Sequence, residues 1–67
     1  MRNWKGEQLV YNITVTRKEH THEYDNVIFW KWHDYHPVLL EIKLSNGGKH
    51  RIPMTENIID VYIKEVK

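Results

Sequence analysis

Over residues 8–16, side chains divide with a period of two into an apolar set, Leu9, Tyr11, Ile13 and Val15, and a mostly polar one, Val10, Asn12, Thr14 and Thr16. A strand gathers such a set on one face, whereas the 3.6-residue turn of a helix scatters it. Four further runs rich in β-branched and aromatic residues follow, at 24–32, 38–45, 49–54 and 59–66, and none has a helical period. The connections between them are too short for the crossovers that parallel neighbours need. The pattern therefore predicts an antiparallel meander of five strands. Its weakest joint is at residues 17–22, which must turn without Gly, Pro or Asn.

Side-chain parity predicts the registers. A three-residue loop of Asn46, Gly47 and Gly48 pairs Leu40 with Met54, Ile42 with Ile52 and Leu44 with His50. The other face then carries Glu41 with Pro53, Lys43 with Arg51 and Ser45 with Lys49. A loop one residue shorter mixes charged and apolar side chains on both faces, so burial favours the longer one. Such a loop ends on a left-handed residue, for which Gly48 is the expectation. Upstream, a four-residue loop at 33–36 sets Phe29 against Leu40 and brings Val27 to the Ile42 side. The predicted core is Leu9, Tyr11, Ile13, Val15, Val27, Phe29, Leu40, Ile42, Leu44, Ile52, Ile59, Val61 and Ile63. Residues 53–58 are too few for a helix of several turns and are expected to form one 3₁₀ turn capped by Thr55.

The 67 residues are expected to form one domain over 1–67, with 1–6 as an N-terminal arm that is flexible or packs on the sheet. A chain of this size buries only about 60% of its unfolded surface, so its stability is a few kcal/mol. It has no cysteine, which fits a reducing compartment. The first residues lack the apolar run of a signal peptide, and no stretch is long enough to span a membrane. A cytoplasmic protein without membrane contact is expected, in which the sequon Asn12-Ile13-Thr14 is idle. Ten Lys and Arg against nine Asp and Glu leave a formal charge of +1, with the signs mixed along the chain. That balance argues against a dedicated non-specific DNA binder and against an acidic DNA mimic.

The segment His50-Arg51-Ile52-Pro53-Met54-Thr55-Glu56-Asn57-Ile58-Ile59-Asp60-Val61 reads as a strand, a tight turn and a last strand. It resembles the C-terminal part of SH3-like and Sm-like small barrels. The whole chain also resembles short all-β proteins of phages and prophages of Gram-positive bacteria. Asp25-Asn26-Val27, the Asn46-Gly47 turn, and Ile52-Pro53 followed by Asn57-Ile58 carry that likeness. The resemblance implies an SH3-like barrel and a viral or mobile-element accessory protein in the bacterial host's cytoplasm. It implies no chemistry, and the acidic and aromatic loop of peptide-binding SH3 domains is absent between the first two strands.

No nucleophile has an evident base, no Gly-rich loop could cradle a phosphate, and no two carboxylates are brought together by the strand pattern. An enzyme is not expected, nor a cofactor. His20 with His22, and His33 with His36, could each supply two imidazoles, but a metal site needs a third and fourth ligand at fixed geometry. Solvated loop histidines, with His50 at the rim of the core, are the simpler reading, and no metal is expected.

The face predicted to lie away from the core is more informative. It gathers Ile28, Trp30, Trp32, Pro37 and Leu39, with Tyr35 beside them, and continues into Lys43, Lys49 and Arg51. Exposed aromatic residues of this kind dominate protein interfaces, so the leading expectation is docking on, and inhibition of, a host protein. A homodimer through the same face is included in that expectation. The runner-up is single-stranded nucleic acid stacked on the tryptophans beside the three cations. A third reading is sequestration of a small anionic ligand such as a nucleotide. Against all of these stands a purely structural reading, in which Trp4 and the N-terminal segment cover the patch as a second small core.

Overall fold

The structure is a computed structural model and describes residues 9–66. It is all-β: β1 (Tyr11–Arg17), β2 (Thr21–His33), β3 (Leu39–Leu44), β4 (Lys49–Pro53) and β5 (Ile58–Glu65). They form one antiparallel sheet in the order β4-β3-β2-β1-β5. β4 and β5 do not pair, so the sheet is open and is not a closed barrel. The expected arm and Trp4 lie outside the described residues.

β2 is the element that shapes the molecule. Its register against β1 shifts between Val27 and Tyr24, and against β3 between Val27 and Phe29. Each shift places an extra residue in β2, one at Asp25–Asn26 and one at Ile28, where Asn26 adopts a left-handed φ of 57°. Bulges bend a strand and increase its twist. The sheet curls so far that Tyr24 on β2 and His50 on β4 bring their rings to 4.9 Å, although β3 lies between the two strands. The bend encloses the core of Ile13, Val15, Tyr24, Val27, Leu40, Ile42 and Ile52. Tyr11, Trp30, Leu44, Met54, Ile58, Val61 and Ile63 pack around it.

The bulge at Ile28 also corrects the expected facing. Beyond it Trp30 lies opposite Ile42 and Trp32 opposite Leu40, so both tryptophans stand on the core face. Phe29, expected inside, lies opposite Lys43 on the other face and is 40% exposed. Leu9 and Ile59 are likewise exposed. Ile59 sits where β5 slips against β1, between the pairs Thr16–Asp60 and Arg17–Ile58, and Ile58 takes its place against the core.

The loops follow the same logic. The β3–β4 loop has the expected three residues, but they are Ser45, Asn46 and Gly47. Leu44 N–H donates to Gly48 O (2.8 Å), Gly47 N–H donates to Leu44 O (3.0 Å), and Gly47 has φ 95°. Gly47, not Gly48, is therefore the left-handed residue, and every β3–β4 pair moves by two. Leu40 meets Ile52, Ile42 meets His50, Glu41 meets Arg51 and Lys43 meets Lys49. A slip of two keeps each side chain on its face, which is why the burial of this hairpin comes out as expected. The β2–β3 loop spans 34–38, one residue longer than expected, and contains a cis His36–Pro37 bond.

Between β4 and β5 there is a single β-turn and no 3₁₀ helix: Ile58 N–H donates to Thr55 O at 3.0 Å. With no 3₁₀ turn to cap, Thr55 instead supports the β-turn, its Oγ1 accepting from Asn57 N–H at 3.4 Å. At the joint without turn residues, Arg17 N–H donates to His20 O (2.8 Å), and neither Lys18 nor Glu19 has a positive φ. Lys18 N–H donates to Asn57 O (2.9 Å), which fastens this turn to the β4–β5 turn.

Candidate ligand-binding face

The outer face of β2, β3 and β4 is a grid read directly from the registers. One row crosses Phe29, Lys43 and Lys49, the next Lys31, Glu41 and Arg51, and the third His33, Leu39 and Pro53. Four cations thus share this face with one carboxylate. Lys43 and Lys49 stand opposite each other, an arrangement of like charge that costs stability in a sheet. Lys43 Nζ lies 5.0 Å from the centre of the Phe29 ring, where the ring's negative face attracts a cation.

Glu41 is the counterweight. Its Oε1 accepts a 2.7 Å hydrogen bond from His33 Nε2, with both side chains part-buried. That bond holds the Glu41 carboxyl below the usual carboxylate range, against the opposing effect of burial, and the charges of His33, Lys43 and Arg51 act in the same direction as the bond. Tyr35 stacks on His33 at 5.1 Å and 18°, and so extends the face past the end of β2. Tyr35 is 51% exposed.

The expected site residues thus divide. Lys43, Lys49, Arg51 and Leu39 come together on the grid, and Tyr35 borders it through His33. Trp30 is not on it: its ring meets Tyr11 edge-on at 5.9 Å on the core side. Trp32 is on the core side too, but at 42% exposed it stands near the open end of the sheet. Ile28 sits in the bulge. Sequence reasoning missed Phe29, Lys31 and His33, because the parity that hides them breaks at Ile28.

A concavity of about 340 Å³ lies where the β1–β2 and β4–β5 turns meet, lined by Arg17, Lys18, Glu19, His20, His22 and Asn57. His22 turns its ring onto Tyr24 at 4.3 Å. Among the described residues no three His, Asp or Glu side chains converge where they could hold a metal ion. Among the described residues no helix is long and apolar enough to cross a membrane. Against protein-family models, curated proteins and solved structures, the chain finds no match.

Proposed function

We propose that this chain is a non-enzymatic binding module that takes single-stranded nucleic acid across the outer face of β2, β3 and β4. The observation that carries the reading is the grid itself: Lys43 and Lys31 flank an exposed Phe29, Lys49 and Arg51 extend the positive charge across β4, and Glu41 is the lone acid among them. Cations track a phosphate backbone while an aromatic ring stacks a base, and neither needs a particular sequence. Tyr35, braced by His33, offers a second ring at the far end of the face. Same-face residues in a strand recur every ~6.8 Å, so Phe29 and His33 are ~14 Å apart, a separation that an extended strand of a few nucleotides spans. The order β4-β3-β2-β1-β5 and the bend of β2 support kinship with SH3-like and Sm-like barrels, opened between the fourth and fifth strands.

The test is fluorescence anisotropy of a labelled oligothymidylate between 50 and 200 mM salt, probe conditions in the range where phosphate contacts are most salt-sensitive. Phe29→Ala is expected to weaken binding by about 1–3 kcal/mol, the worth of one stacked base. Replacing Lys43 and Lys49 together by Gln is expected to flatten the salt slope by about 1.4, two single-strand contacts' worth. No saturable binding at the lowest salt would remove this reading.

A second reading, docking on a host protein, rests on a different group: Trp32, Tyr35 and Val38, exposed beside one another in the chain at the β2–β3 loop. A phage or mobile-element inhibitor would use such a rim. Retention of a partner that survives nuclease treatment and is lost in Trp32→Ala, but not in the lysine variant, would favour it.

A further inference from the structure

The two edges of the sheet are not alike. β4 is only five residues long, carries the cations Lys49 and Arg51 with no acid among its residues, and ends on Pro53; a short edge of one charge with a proline discourages another strand from adding to it. β5 is longer, has no proline, and exposes Ile59 and Tyr62 at 63% and 58%. It has β1 on one side and, among the described residues, no strand on the other. An edge of this kind is a template for a further strand.

We propose that β5 pairs antiparallel with β5 of a second copy of this chain, about a twofold axis at Tyr62. The backbone fixes which residues could bond. Val66 N–H donates to Val10 O at 2.7 Å, and the register runs unbroken from there to Thr16–Asp60. Hydrogen-bonding direction alternates along an antiparallel strand. Lys64, Tyr62 and Asp60 therefore turn their peptide groups to β1, while Val61, Ile63 and Glu65 turn theirs outward. A twofold axis at Tyr62 sets Val61 opposite Ile63 of the second copy, and these are outward-facing groups that exchange two hydrogen bonds.

Charge selects this register from its neighbours. Centred on Tyr62, Asp60 of each copy lies opposite Lys64 of the other, and the two tyrosines face each other between these ion pairs. Centred on Val61, Asp60 lies opposite Tyr62; centred on Ile63, Lys64 does. Centred on Asp60 or Lys64, like charges meet, which destabilises a sheet. Val61 and Ile63 pack against the core side of the sheet, so the same register also continues the apolar stripe across the interface. Closed twofold association of one patch with itself is the commonest form of oligomer. The proposal is independent of the nucleic-acid reading, because β5 and the grid lie on opposite sides of β1.

Sedimentation velocity over a wide concentration range tests it, with circular dichroism as the folding control. The unmodified chain is expected to pass from monomer to dimer. Asp60→Lys alone and Lys64→Asp alone are each expected to raise the dimer dissociation constant by about tenfold or more, since each turns two attractions into repulsions. An equimolar mixture of these two variants is expected to dimerise again, because each then supplies the charge the other lacks. A chain that stays monomeric throughout overturns the proposal. So does a dimer that both variants leave unchanged, or folded variants that dissociate singly and do not recover on mixing.

Discussion

At the scale of single residues, the contact between His33 and Glu41 sets the polarity of the grid. A carboxylate can only accept, so the 2.7 Å bond places a proton on Nε2 of His33. The Glu41 carboxyl is lowered first by that bond. A carboxyl whose pKa is lower in the folded than in the unfolded chain stabilises the fold above its ordinary range, and this stability is lost as pH falls through the lowered value. In an NMR titration, His33→Phe is expected to move the Glu41 midpoint upward toward the ordinary range. An unchanged midpoint would assign the lowering to Lys43 and Arg51 instead. Nothing in the sequence announces this pair, since a one-residue change in the β2–β3 register would separate it. Gly47 and Gly48 pose the same difficulty: either could take the left-handed position, and two adjacent glycines carry no side chain by which burial could choose.

At the scale of elements, β2 decides what was legible. The existence of all five strands and their antiparallel pairing follow from alternation and short loops, but the place of β5 does not: a simple meander sets it beside β4, and it pairs with β1 at the other edge. The facing of β2 does not follow, because Val27, Ile28, Phe29 and Trp30 form an unbroken apolar run in which alternation is lost. A bulge in such a run leaves no compositional mark, so the aromatic pair moved to the core side and Phe29 moved out. The other bulge has a clearer signature in Asn26, a residue type that tolerates the left-handed region. Asn26→Gly is expected to leave stability unchanged or slightly raised. Asn26→Val is expected to lower it by about 1–2 kcal/mol in urea unfolding, the cost of holding a branched residue left-handed. Equal stability of the valine variant and the parent would mean that the bulge does not persist in solution.

At the scale of the whole molecule, the fold is a bent, open sheet whose concave side is filled by its own side chains. Its wholly buried residues are few, and Leu40 is among them at 0% exposed, paired with Trp32 on one side and Ile52 on the other. Leu40→Ala is expected to cost about 2–5 kcal/mol, close to the entire stability of a chain this small. Loss of strand signal at 37 °C by circular dichroism checks it, and a variant melting with the parent would contradict the assigned interior. The hydrogen bond from Val66 to Val10 has a consequence of another kind. The first and last residues of the sheet leave it at one corner, so everything upstream of Val10 and everything downstream of Val66 starts from the same point in space. A unit whose two ends meet in this way can be spliced into a surface loop of an unrelated protein without forcing that loop apart. The grid and the β5 edge would travel with it as a cassette.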